Sequence, residues 1–155
     1  MDEHSLHLMI NHFPVILSFL GAASAVGAFI TRRRAVLVYA LATLTLAGAS
    51  VYPAVWSGDA AEEQVEQRWY VDRTQAKEHE EAAEAAMWML LVTGVVSAAA
   101  WWLTLRTLRE VKPGMALLTV VMLLGLSSAV AMARTSWLGG FIAIKNPALV
   151  NSSPS

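Results

Sequence analysis

The sequence predicts an all-α integral membrane fold, a four-transmembrane-helix up-down bundle with both termini outside, and three observations predict it. Hydrophobic residues make up 56% of the 155-residue chain and charged residues only 15%, which is too apolar for an ordinary soluble domain. The apolar residues gather into four stretches, at about 8–30, 35–56, 85–105 and 115–138. Each approaches the roughly 20 residues that a helix needs to cross about 30 Å of hydrocarbon, and strands are excluded because an open strand leaves its backbone groups unpaired in lipid. Third, the short loops after the first and third stretches are basic, with Arg32, Arg33 and Arg34 in one and Arg106, Arg109 and Lys112 in the other. Basic loops stay in the cytoplasm, so both termini and an outer loop over 57–84 face outward. The chain reads as one membrane domain over 1–147 with a C-terminal tail over 148–155 in a bacterial inner membrane.

The first span opens with an irregularity. Pro14 lacks a backbone donor and crowds the carbonyl of Ile10, while Phe13 is biased away from helix by the proline after it. His12 is therefore expected at a kink or a helix start. Gly21, Ala22, Ala23, Ser24 and Gly27 form a small-residue surface on which a second helix can approach closely. The start Met1-Asp2-Glu3 has no basic region and no cleavage site, so the span is expected to be retained and the mature chain to begin near Met1.

The second span ends in Tyr52, Pro53 and Trp56, an interfacial belt with a bend. Strong helix formers from about Thr74 to Ala86 predict that the third helix starts well outside the lipid and lifts His79 toward the headgroups. Trp88, Trp101 and Trp102 read as lipid-facing anchors. The fourth span carries Arg134 near its outer end, where it either snorkels to headgroups or pairs with a carboxylate. After it comes Trp137-Leu138-Gly139-Gly140, where paired glycines allow a sharp turn or a close approach, and Phe141 to Ile144 is expected to lie along the surface.

The absence of cysteine excludes disulfides, covalently attached c-type haem and cysteine-ligated iron–sulphur clusters within the chain. Any redox cofactor must be held by histidine. A formal charge of -1 shows no basic surface for nucleic acid. All four histidines gather at one side: His4, His7 and His12 at the first span and His79 before the third.

The run His7-Leu8-Met9-Ile10-Asn11-His12-Phe13-Pro14, the four spans and the closing Trp137-Leu138-Gly139-Gly140 resemble, over nearly the whole chain, the membrane family catalogued as domain of unknown function 2231. That resemblance implies a four-helix module which in some relatives is fused to Rieske or c-type cytochrome domains, hence a link with electron transfer. His7 and His12 match the family's first-span motif, and His79 matches more loosely a histidine near the third span. Relatives commonly carry a histidine-glycine pair after the double glycine, whereas Lys145, Asn146 and Pro147 occupy that stretch here.

On a regular helix His7 and His12 stand about 140° apart, too far round to grip one metal together. The expected ligands of a haem iron are therefore one first-span histidine, His12 for its depth, with His79. Arg134, Arg73 or Lys77 would neutralise the propionates. A zinc site using His79, Glu80, Glu81 and His7 lacks a spacing motif. Histidines at an interface are also plain polar anchors, above all His4. Three function classes follow. The first is a membrane electron-transfer protein or subunit holding b-type haem near the periplasmic face and serving a quinone or a periplasmic carrier. The second is a cofactor-free accessory subunit that docks and stabilises a larger respiratory or photosynthetic complex. A transporter is third, because there is no inverted repeat.

Overall fold

The computed structural model describes residues 3–53, 73–107 and 112–145, and the side chains of all of these except 3–11, 73, 75–76 and 140–145. Four helices account for nearly all of it: α1 (Glu3–Thr31), α2 (Arg34–Ala49), α3 (Arg73–Arg106) and α4 (Met115–Lys145). There is no strand among the described residues. Each helix carries a segment long and apolar enough to span a bilayer: His12–Thr31, Arg34–Pro53, Lys77–Arg106 and Met115–Gly139. The molecule is thus an all-helical multi-pass membrane protein. Trp56, Arg109, the loop up to residue 72 and the tail over 148–155 lie outside the described residues.

The helices form a four-cornered bundle in which α1 packs on α2 and α4, and α3 packs on the same two, so that α1 and α3 stand on a diagonal. Arg32 and Arg33 alone connect α1 to α2, and Arg32 closes the turn with a left-handed φ of 53° while its N–H bonds Ala28 O at 2.8 Å. At the same end Arg34 donates to Thr107 Oγ1 at 3.0 Å and to the carbonyl of Thr104, tying α2 to the end of α3.

Lipid tails are as apolar as leucine, so helices in a membrane associate through close packing and hydrogen bonds. Both are present. A Cβ built on Gly48 would lie 2.7 Å from Gly94 Cα, so α2 and α3 meet backbone to backbone. One on Gly21 would lie 2.5 Å from Leu44 Cδ2, and one on Gly125 3.2 Å from Ala22 Cα, which bring α1 against α2 and α4. Between α3 and α4, Thr93 Oγ1 and Ser128 Oγ share a buried hydrogen bond of 2.8 Å. Leucines of α2, chiefly Leu37, Leu41 and Leu44, fill the remaining core with Leu118 and Val121 of α4.

Three sequence expectations are corrected. The first helix begins at Glu3 and runs through a buried Pro14, so His12 marks no helix start. In a membrane bundle neighbouring groups compensate the bond that an interior proline removes, and the helix continues. The double glycine makes no turn either, because α4 runs unbroken to Lys145 and no described glycine has a positive φ. Phe141 to Ile144 thus prolongs α4 and does not form a separate surface segment. Finally, Trp88 and Trp102 are exposed as expected, but Trp101 is partly buried and packs against the core cluster of Ala25, Leu37, Leu41, Leu44 and Leu118.

Candidate functional site

The end of the bundle where the sequence gathers histidines is built by α1, α3 and α4. α3 begins at Arg73, in a run of strong helix formers, and so carries His79 one and a half turns into a regular helix. His79 is half-buried and lies against Gly139 of α4: a Cβ on Gly139 would stand 3.0 Å from His79 Cε1, 3.5 Å from Nδ1 and 3.7 Å from Nε2. The imidazole therefore occupies the place of the missing side chain, with its Nδ1 buried. Less than one turn deeper, Thr135 donates to the carbonyl of Ala82 at 3.0 Å and to that of Ala131 at 3.1 Å. This tether fixes the height of α3 against α4 beside the histidine. Close approach, the second of the two roles expected for the double glycine, is the one that Gly139 fulfils.

The heights of the other histidines follow from the packing of α1. Ala22 touches Gly125 of α4; Gly139 lies fourteen residues beyond Gly125, and His7 fifteen residues before Ala22. At about 1.5 Å per residue on roughly parallel helices, both stand about 21–22 Å from that contact. His12 stands about 15 Å from it on the same scale. Measured from this contact, His7 of α1 stands nearer the height of His79 than His12 does. Pro14 and Ser18 of α1 are buried against the bundle, whereas His12 is exposed. His4 shares the outermost turns of α1.

Arg134 is not part of this arrangement. It is exposed, and about 140° around α4 from Gly139, on the side turned away from the bundle. Lys77, one turn from the outer start of α3, pairs with Glu81 at 3.9 Å, both well exposed. Among the described residues no three His, Asp or Glu side chains gather as metal ligands.

Sequence reasoning missed Gly139 as the floor under His79 and ranked His12 above His7. A stripe of Pro14, Ser18 and Ala25, repeating at sevens and elevens, was the available signal for the inward face. No family model, curated protein or solved structure matches the chain, so the family resemblance rests on the sequence motifs alone.

Proposed function

We propose that the chain is a membrane electron-transfer protein or subunit in which His7 of α1 and His79 of α3 would hold a b-type haem at the histidine end of the bundle. The observation that carries the reading is that, measured from the contact of Ala22 with Gly125, these two positions stand at about the same height on diagonally opposed helices, whereas His12 stands about 6–7 Å deeper.

The residues present fit such a group only at this end. Backbone contact at Gly48 and Gly94 leaves no space for a macrocycle at that depth. His79 lies fifteen residues beyond Gly94, about 22 Å further out, whereas the span of α2 reaches only Pro53, about 7 Å beyond Gly48. At the height of His79 the described frame is therefore three helices. When bound, haem would supply one-electron chemistry, and the chain would hold and orient the imidazoles, that of His79 by its contact with Gly139.

The basic residues Arg32, Arg33, Arg34, Arg106 and Lys112 all belong to the opposite end. By the charge rule for short loops, the histidine end and both termini face the periplasm of a bacterial inner membrane. An electron partner there is a periplasmic carrier, a quinone or a second membrane subunit.

The test is a reduced-minus-oxidised spectrum of protein purified in mild detergent from haem-replete cells. The expected result is a sharp α band that His7→Ala and His79→Ala abolish and His12→Ala leaves in place. Loss with His12→Ala and retention with His7→Ala would restore the pairing that the sequence alone suggests. A wild-type protein free of haem would sink the reading and leave the accessory-subunit class.

A further inference from the structure

On the lipid-facing side of α4 an open groove of about 430 Å³ is lined by Leu126, Ser127, Val130, Ala131 and Arg134. Its shape follows from spacing. Leu126 and Val130, four apart, make one raised edge, while Ser127 and Ala131, also four apart, make a floor of small side chains. Arg134 closes the outer end, five residues before the end of the apolar segment at Gly139.

The floor runs from Ser127 to Arg134, two helical turns or about 10 Å along the helix axis. Its lining is mostly apolar, with the Ser127 hydroxyl and the Arg134 guanidinium as its polar groups. A guanidinium that faces lipid at this depth is costly unless an anion meets it, and Arg134 makes no ion pair or hydrogen bond among the described residues. Its planar fork of donors matches a phosphate in two parallel hydrogen bonds. From within a turn or two of the span end, the side chain reaches the headgroup layer.

We infer that this groove is a binding site for one anionic phospholipid, with the phosphate on Arg134 and an acyl chain along Ser127 and Ala131 under the edge of Leu126 and Val130. Charge complementarity selects the occupant. A second copy of the chain would have to bring an acid into the hydrocarbon to satisfy the arginine, and a neutral isoprenoid would leave it unmet. A zwitterionic lipid offers the same phosphate but carries its own cation beside it, so the anionic lipid is preferred. The site is independent of the haem reading, because it lies on the opposite side of α4 from Gly139.

Native mass spectrometry of the full chain, released from nanodiscs of equal parts phosphatidylglycerol and phosphatidylcholine, tests this. The expected result is one retained phosphatidylglycerol per chain, favoured over phosphatidylcholine. Arg134→Gln is expected to lower that adduct roughly tenfold, the worth of one charge-assisted contact to phosphate. Val130→Trp fills the groove at a residue that is 69% exposed and outside the core, and it is expected to lower the adduct without touching the charge. An adduct that stays at the wild-type level in either variant, equal retention of the two lipids, or a lipid-free dimer as the main species would overturn the assignment.

Discussion

At mid-depth α2 and α3 touch backbone to backbone through Gly48 and Gly94, whereas near the outer start of α3 the contact with α4 is an imidazole laid on Gly139. Both places need glycine, for different reasons. In the first, two helix axes approach so closely that neither residue can carry a side chain, and the result is rigidity. In the second, one glycine makes room for a titratable ring on the neighbouring helix, and the result is a ring held in place at the end of the bundle. The same residue type thus serves packing at one level and positioning at another. What it faces, backbone or side chain, decides which.

The largest expected effect lies in the middle. Gly48→Ala would set a Cβ 2.7 Å from Gly94 Cα and 2.8 Å from Leu90 O, and backbone atoms cannot swing aside. We expect a loss of about 1–3 kcal/mol, the usual cost of overpacking, read as a lower midpoint of unfolding in detergent. Gly94→Ala should cost about the same, since its Cβ meets Gly48 Cα at 2.8 Å. Gly139→Ala should cost distinctly less, because a half-buried imidazole at 3.0 Å can give by a few tenths of an ångström. Equal losses at Gly48 and Gly139 would break the distinction drawn above.

Gly139→Val sharpens it. Its branched side chain must displace the ring of His79, while the Thr135–Ala82 tether keeps α3 and α4 together. The expected outcome is a folded protein in which the α band of the proposed haem is weakened or shifted. An unchanged spectrum in a variant whose haem depends on His79 would show that Gly139 does not position the ring.

Much of this architecture is legible in the sequence, and the limits have physical causes. Four spans follow from hydropathy because lipid imposes one length on every crossing helix. That Gly48 meets Gly94 does not follow, because contact between helices depends on their register, which hydropathy leaves open. The ranking of His12 above His7 rests on depth along one helix, which says nothing of the height of its partner. A common scale for the two helices comes from contacts such as Ala22 to Gly125 and Gly139 to His79. Of the two roles open to the double glycine, the structure takes close approach and not the turn, because glycine permits a turn without requiring one and here the helix continues.

A middling effect is expected from the hydrogen bond between Thr93 and Ser128, the polar counterpart of the glycine contact at mid-depth. Measured side-chain hydrogen bonds inside membranes contribute about 0.6 kcal/mol on average and at most about 1.7 kcal/mol. A double-mutant cycle with Thr93→Val and Ser128→Ala should return a coupling energy within that range. A coupling of zero would mean that shape alone holds α3 to α4 at this depth.

The smallest effect belongs to the charged outer start of α3. Lys77 and Glu81 stand one turn apart at 3.9 Å, with 74% and 69% of their side chains exposed. An exposed pair at this spacing is worth at most about 0.2–0.5 kcal/mol, and salt screens it further. Lys77→Gln should therefore leave the unfolding midpoint unchanged at high ionic strength and lower it barely at low. A loss comparable to that of the Thr93–Ser128 pair would mean that this end of α3 is held by charge as well as by the imidazole on Gly139. The contrast between a packed middle and a positioned end would then need a third element, a charge pair within α3 that keeps its first turns wound.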